Sequence, residues 1–121
     1  MLRRLLLPLA LVGIALAATT AGNAATRSAG LTGEVGPGYT IEVKLNGKDL
    51  KTIKAGTYKI KVEDKGSIHN FHLLGPGLNK KTGVNFTGDL TWTIKLKPGR
   101  YTYQCDPHHL SGMRGHFRVT A

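Results

Sequence analysis

Apolar and polar residues alternate with a period of two in several short stretches of the chain, the spacing of strands with one buried face. In Tyr39–Leu45 the odd positions Tyr39, Ile41, Val43 and Leu45 are apolar, with Thr40, Glu42 and Lys44 between them. Tyr58, Ile60 and Val62 alternate with Lys59 and Lys61, and Leu90, Trp92, Ile94 and Leu96 alternate with threonines and Lys95. Trp92 is expected as the largest core group. Asn46-Gly47 signals a hairpin turn after the first stretch. Lys97-Pro98-Gly99-Arg100 turns the chain into Tyr101–Cys105, and 115–119 reads as a closing strand. Gly75–Val84 is rich in glycine, proline and lysine and is expected as a long loop. Short strands at this spacing, with no helical period of useful length, predict an all-β fold, an antiparallel β-sandwich.

The first two dozen residues break this pattern. Arg3-Arg4 leads into an apolar run interrupted by Pro8 and Gly13, and Gly22-Asn23-Ala24 follows it. The run is shorter than the roughly 20 residues of a spanning helix, and a charged start, short apolar core and small-residue site describe a cleavable export signal. Residues 1–24 are therefore expected as a signal peptide, 25–34 as a flexible mature N-terminus and 35–121 as one domain. The protein is expected in the periplasm or outside the cell, with no stable membrane insertion after cleavage. The paired arginines do not decide between export routes.

Charge narrows the partners. The chain carries 17 Lys and Arg against 7 Asp and Glu, a formal charge of +10. Taking away Arg3 and Arg4 leaves about +8 for the mature part, which favours an acidic partner or an anionic surface. Nucleic acid is not expected, since the chain lacks aromatic stacking clusters and a recognition helix.

The candidate chemistry centres on Cys105, the only cysteine. An exported chain with one cysteine cannot close an internal disulfide, so its thiol must be buried or bound. His108 stands three positions after it and Met113 eight, while His69 lies upstream. Thiolate and thioether sulfur suit Cu(I), imidazole suits both oxidation states of copper, and a trigonal His₂Cys plane with a weak axial thioether tolerates either. Pro107 and Gly112 favour the tight fold-back that three donors on one loop require.

Cys105-Asp-Pro-His108-His-Leu-Ser-Gly-Met113-Arg-Gly115 resembles the cysteine loop of plastocyanin-like cupredoxins. His69-Asn70-Phe71 is similar to the segment that carries the first histidine in plastocyanins and azurins. The resemblance implies an eight-stranded Greek-key sandwich with one copper ion at one end. It implies His69, Cys105 and His108 as equatorial ligands and Met113 as the axial one. Asn70, Asp106 and Pro107 are expected around this set, with Asn70 tying the histidine segment to the cysteine loop. His72 sits three residues from His69, on the opposite face if the segment is a strand, and His109 and His116 are expected at the surface.

The function implied is one-electron transfer by a monomeric, non-enzymatic carrier that meets redox proteins bearing acidic docking surfaces. Electrons would leave through His108 in an apolar patch with Leu110, Pro76 and Leu74. The same donors could serve copper binding or delivery, although transfer sites are often richer in Met or His. A copper enzyme would need an open position or a second copper, and the His-x-His pairs of a trinuclear centre are absent. A non-metal adhesive sandwich leaves the motif unexplained.

Overall fold

The computed structural model describes residues 27–121. The expected signal peptide, 1–24, lies outside the described residues. The fold is all-β, with ten strands instead of eight: β1 Arg27–Val35, β2 Ile41–Leu45, β3 Lys48–Asp49, β4 Thr52–Lys54, β5 Gly56–Asp64, β6 His72–Gly75, β7 Leu78–Lys81, β8 Gly88–Leu96, β9 Gly99–Gln104 and β10 Arg114–Thr120. They form two five-stranded sheets, in the orders β3-β2-β1-β5-β8 and β4-β10-β9-β6-β7. Most neighbours are antiparallel, but β1 pairs with β5 and β4 with β10 in parallel. Among the described residues no helix is long and apolar enough to cross a membrane.

The hairpin expected at Asn46-Gly47 joins β2 to β3, and both turn residues have positive φ, 51° and 80°. That is the primed turn whose twist matches the flanking strands. β5 and β8 pair over their whole length, from Gly56 opposite Leu96 to Asp64 opposite Gly88. Their alternating residues bury Tyr58, Ile60, Val62, Ile94 and Leu96.

Three expectations are corrected. The segment expected as a flexible N-terminus is a strand from Arg27 onward and sits inside the first sheet, antiparallel to β2 and parallel to β5. Leu31 and Val35 are buried, and Gly33 lies so close to the Phe71 ring that a Cβ there would collide with it. The order of this segment comes from pairing on both sides, which local composition does not reveal. Gly75–Val84, expected as a loop, contains the β6–β7 hairpin. Its turn has Pro76 followed by Gly77 at φ 68°, the arrangement of a type II turn. Finally, Trp92 is only half-buried, tilted against Phe71 at 6.1 Å with the Lys80 ammonium 5.6 Å from its ring. The largest fully buried groups are Tyr58, Tyr101 and Phe71.

From the second sheet, Phe71, Leu73, Tyr101, Phe117 and Val119 close the core, with Tyr101 stacked on Phe117 at 5.3 Å. The buried Tyr101 hydroxyl donates to the Pro76 carbonyl (2.9 Å) and accepts from Lys97 N–H (3.0 Å), so burying this ring leaves no polar atom unpaired.

Candidate metal centre

β6 and β9 are antiparallel neighbours, with His72 opposite Gln104. This pairing brings His69, just before β6, beside Cys105, just after β9. The chain between β9 and β10 forms a short 3₁₀ helix, Asp106–Ser111, with Pro107 in its first turn. It ends at Gly112, whose φ of 100° suits glycine. Cys105 N–H donates to the Met113 carbonyl (3.0 Å), His108 N–H to Cys105 (3.1 Å) and Met113 N–H to His108 (3.3 Å). The loop therefore closes on itself and brings Cys105 and His108 together, with the buried Met113 at its end.

Cys105 and Met113 are buried with the core, His69 is 2 % exposed, and His108 is half-buried. Sγ of Cys105 lies 3.4 Å from Nδ1 of His108 and 3.6 Å from Nδ1 of His69, and the two Nδ1 atoms are 3.1 Å apart. A triangle with these sides has its centre about 2 Å from every corner, close to the bond lengths of about 2.0 to 2.3 Å that nitrogen and thiolate sulfur make with a metal such as zinc. Three lone-pair donors aimed at one point in a largely buried place suit a cation there, and one thiolate with two imidazoles suits copper. Among the described residues this is the one group of three His, Cys, Asp or Glu side chains placed to hold a metal.

The surroundings hold both ligand segments. Asn70, 2 % exposed, accepts from Asp106 N–H at 2.7 Å and donates from Nδ2 to the Asp106 carboxylate at 2.9 Å. Thr82 adds a clamp, its hydroxyl accepting from Phe71 N–H at 2.8 Å. The Asp106 carboxylate also accepts from Gln104 Nε2 (2.9 Å) and His72 Nδ1 (2.8 Å). Burial alone pushes its carboxyl up, but the hydrogen bonds from Gln104, His72 and Asn70, with the His72 charge, outweigh burial and hold it at about 2.

His72, His109 and His116 lie outside the donor triangle. His72 bridges Asp106 and Asn79, His109 meets the Asp106 carbonyl at 2.7 Å, and His116 meets the Thr102 hydroxyl at 3.1 Å. His69 precedes β6, so strand alternation does not relate it to His72; the register opposite Gln104 sets His72 beside Asp106 instead.

Two residues that sequence reasoning missed flank His69 and His108. Tyr39 is 65 % exposed and meets both rings edge-on, at 5.4 Å for His69 and 5.0 Å for His108. Its place in an alternating run had marked it only as a core-facing residue. Asp64, 2 % exposed, accepts from Gly66 N–H (3.1 Å), and the Gly66 carbonyl accepts from His69 N–H (3.3 Å). Its second oxygen has no partner, and burial pushes its carboxyl up against the opposing pull of Gly66 N–H and His69.

The expected exit patch is only partly assembled. Leu110 is 91 % exposed on the 3₁₀ helix. Pro76 instead packs at Gly99 and Tyr101, at the end of β9 far from Cys105, and Leu74 pairs with Thr102 in mid-sheet. β6 starts near the site but runs away from it, and carries both residues off. The exposed apolar residues around the donor cluster are Tyr39, Ile68 and Leu110.

Known structures share this architecture. The chain is similar to reduced rusticyanin, with 20 % identity over 78 % of this chain and 83 % of that one and a TM-score of 0.55. A methionine-to-glutamine mutant of rusticyanin gives 22 % identity, 74 % and 76 % coverage and a TM-score of 0.57. Rusticyanin from Thiobacillus ferrooxidans gives 20 % identity, 74 % and 75 % coverage and a TM-score of 0.53. At these identities the likeness establishes the fold. Residues 39–120 match the family described as copper binding proteins, plastocyanin/azurin family. With a match over most of its length and a His, Cys, His donor triangle buried where its two ligand segments meet, this chain belongs to the plastocyanin/azurin family of copper-binding proteins and takes one copper ion.

Proposed function

We propose that the protein is an exported one-electron carrier, with His69, Cys105 and His108 as equatorial ligands of its copper and Met113 as the axial ligand. The observation that carries this reading is the triangle of donor atoms at 3.1, 3.4 and 3.6 Å, formed between the His69 segment and the closed Cys105–Met113 loop. Copper held there would take one electron from a redox donor and pass it to an acceptor, alternating between Cu(II) and Cu(I). The chain's part is to keep the donors in one arrangement for both states, which the Asn70–Asp106 bonds and the closed Cys105–Met113 turn support.

His108 is the exit. Its Nδ1 faces the donors, its ring is half-buried, and Tyr39 and Leu110 present exposed apolar surface nearby. Redox partners with acidic surfaces dock briefly in the periplasm or outside the cell, and the carrier works as a monomer without substrate chemistry of its own. Small, charge-steered interfaces are typical of such encounters.

The test is to add Cu(II) to the purified protein and record its visible spectrum. An intense blue thiolate-to-copper band, absent in Cys105→Ser, is expected. A colourless complex that releases Cu(I) rapidly to a chelator would instead identify a delivery protein.

A further inference from the structure

Charge is divided unequally between the two sheets. Six of the seven acids, Glu34, Glu42, Asp49, Glu63, Asp64 and Asp89, lie on strands of the first sheet. Four of them pair with lysines, Glu42 with Lys44, Glu34 with Lys65, and Glu63 and Asp89 with Lys61. The seventh, Asp106, is held by Asn70, His72 and Gln104.

The outer face of the second sheet has the opposite character. Arg114, His116 and Arg118 alternate outward along β10, and Arg118 stands directly opposite Arg100 of β9. Lys51 joins them in a shallow groove with Arg100, His116 and Arg118. All five are exposed, and among the described residues none of the four Lys and Arg is within ion-pair distance of a carboxylate. Like charges directly opposite in an antiparallel pair oppose folding. Arg100 and Arg114, after partial burial, also hold the His116 imidazole below its usual range.

We propose that this β9–β10 face, centred on Arg100, Arg114, Arg118 and Lys51, is the docking surface for an acidic protein partner. The inference rests on the electron-carrier reading and adds the face to it. Arg114 directly follows Met113, so the cationic stripe starts at the metal loop and runs about 13 Å to Arg118, taking about 3.3 Å per residue. The groove lies toward the Gly99 end of β9, so a partner reaches the copper end by spanning the whole stripe from Arg118 to Arg114. A lipid surface fits less well, because the exposed large apolar residues, Tyr39, Ile68, Val84 and Leu110, are all outside this face, and membrane-surface binders insert such groups.

Poly-L-glutamate serves as the carboxylate probe, titrated into reduced, copper-loaded, ¹⁵N-labelled protein at low salt. Amide shifts should concentrate on β4, β9 and β10. Arg100→Glu/Arg118→Glu should weaken binding about tenfold, and Lys59→Glu/Lys95→Glu, the same charge change on the first sheet, less than about twofold. The single Arg100→Glu should weaken binding while raising the melting temperature, since it replaces a like-charge pair with an opposite one. Equal losses from the two double variants, or tighter binding to phosphatidylglycerol vesicles than to polyglutamate, would overturn the proposal. The blue band of the oxidised form is read in the same samples. Its absence sinks the carrier reading, whereas weak, unlocalised polyglutamate binding by a blue protein sinks only the docking face.

Discussion

The two sheets meet in one core but carry different burdens. In the second sheet, every donor of the candidate metal centre sits at a strand end, His69 before β6 and Cys105, His108 and Met113 between β9 and β10. The first sheet contributes apolar wall, paired surface charges, and from its connections only Tyr39 and the Asp64–Gly66 turn that backs His69. A soft-metal site needs several donors held in one place without motion. Adjacent antiparallel strand ends provide that through bonds such as Asn70 to Asp106, while the opposite sheet excludes water. Two carboxyls, the buried Asp64 and the part-exposed Asp106, follow the same division. Asp106 has three side-chain donors and is pulled down to about 2, whereas Asp64 keeps one bare oxygen and is pushed up.

The coupling between the sheets breaks most severely at Phe71. This ring, just before β6 of the second sheet, sets its Cζ edge against Gly33 of the first and is fully buried. Phe71→Ala is expected to cost about 3 to 5 kcal/mol in urea unfolding. A loss under about 1 kcal/mol would mean the sheets do not depend on this contact. Asn70→Ala strips the brace from the second sheet and leaves Asp106 N–H without its acceptor, for a loss of about 1 to 3 kcal/mol and a shifted copper band. Asn46→Ala, at a positive-φ turn of the first sheet, should cost about 1 kcal/mol and leave the band unmoved.

The carboxyls sharpen the contrast by the sign of their pH dependence in metal-free protein. Asp106 has a folded value below its ordinary 3.8, so its contribution is complete above about 4 and disappears as pH falls toward about 2. Asp106→Asn should flatten stability across that window. Asp64 has a raised value, so its ionised form opposes folding above 3.8 and the penalty is relieved as pH falls through its folded value. Asp64→Asn should raise the urea midpoint at neutral pH. The smallest effect belongs to the first sheet's exposed ion pairs, where Lys61→Met or Lys65→Met should leave the melting temperature unchanged.

Where interactions were local, the chain could be read directly. Asn46-Gly47 declared its hairpin, the alternation in β5 and β8 declared their buried faces, and Pro107 and Gly112 declared a tight loop around His108. What could not be read was non-local. β1 looked flexible because its neighbours β2 and β5 supply its bonds, and its parallel partner begins some thirty residues away. Tyr39 looked like core and instead stands over the two histidines, because β2 begins only at Ile41. Pro76 and Leu74, expected at the copper end, are carried away from it by the direction of β6.

The sequence by itself determined the chemistry. The lone cysteine, two correctly spaced donors beside it and an upstream histidine specify a soft-metal ligand set, since donor softness is a property of the residue type. Tertiary structure decided the geometry and the surface. Only the β6–β9 register brings His69 to Cys105, and only the assignment of strands to sheets gathers Arg100, Arg114 and Arg118 on one face of the second sheet while six acids go to strands of the first. Both depend on hydrogen-bond partners distant along the chain, which local residue preference does not encode.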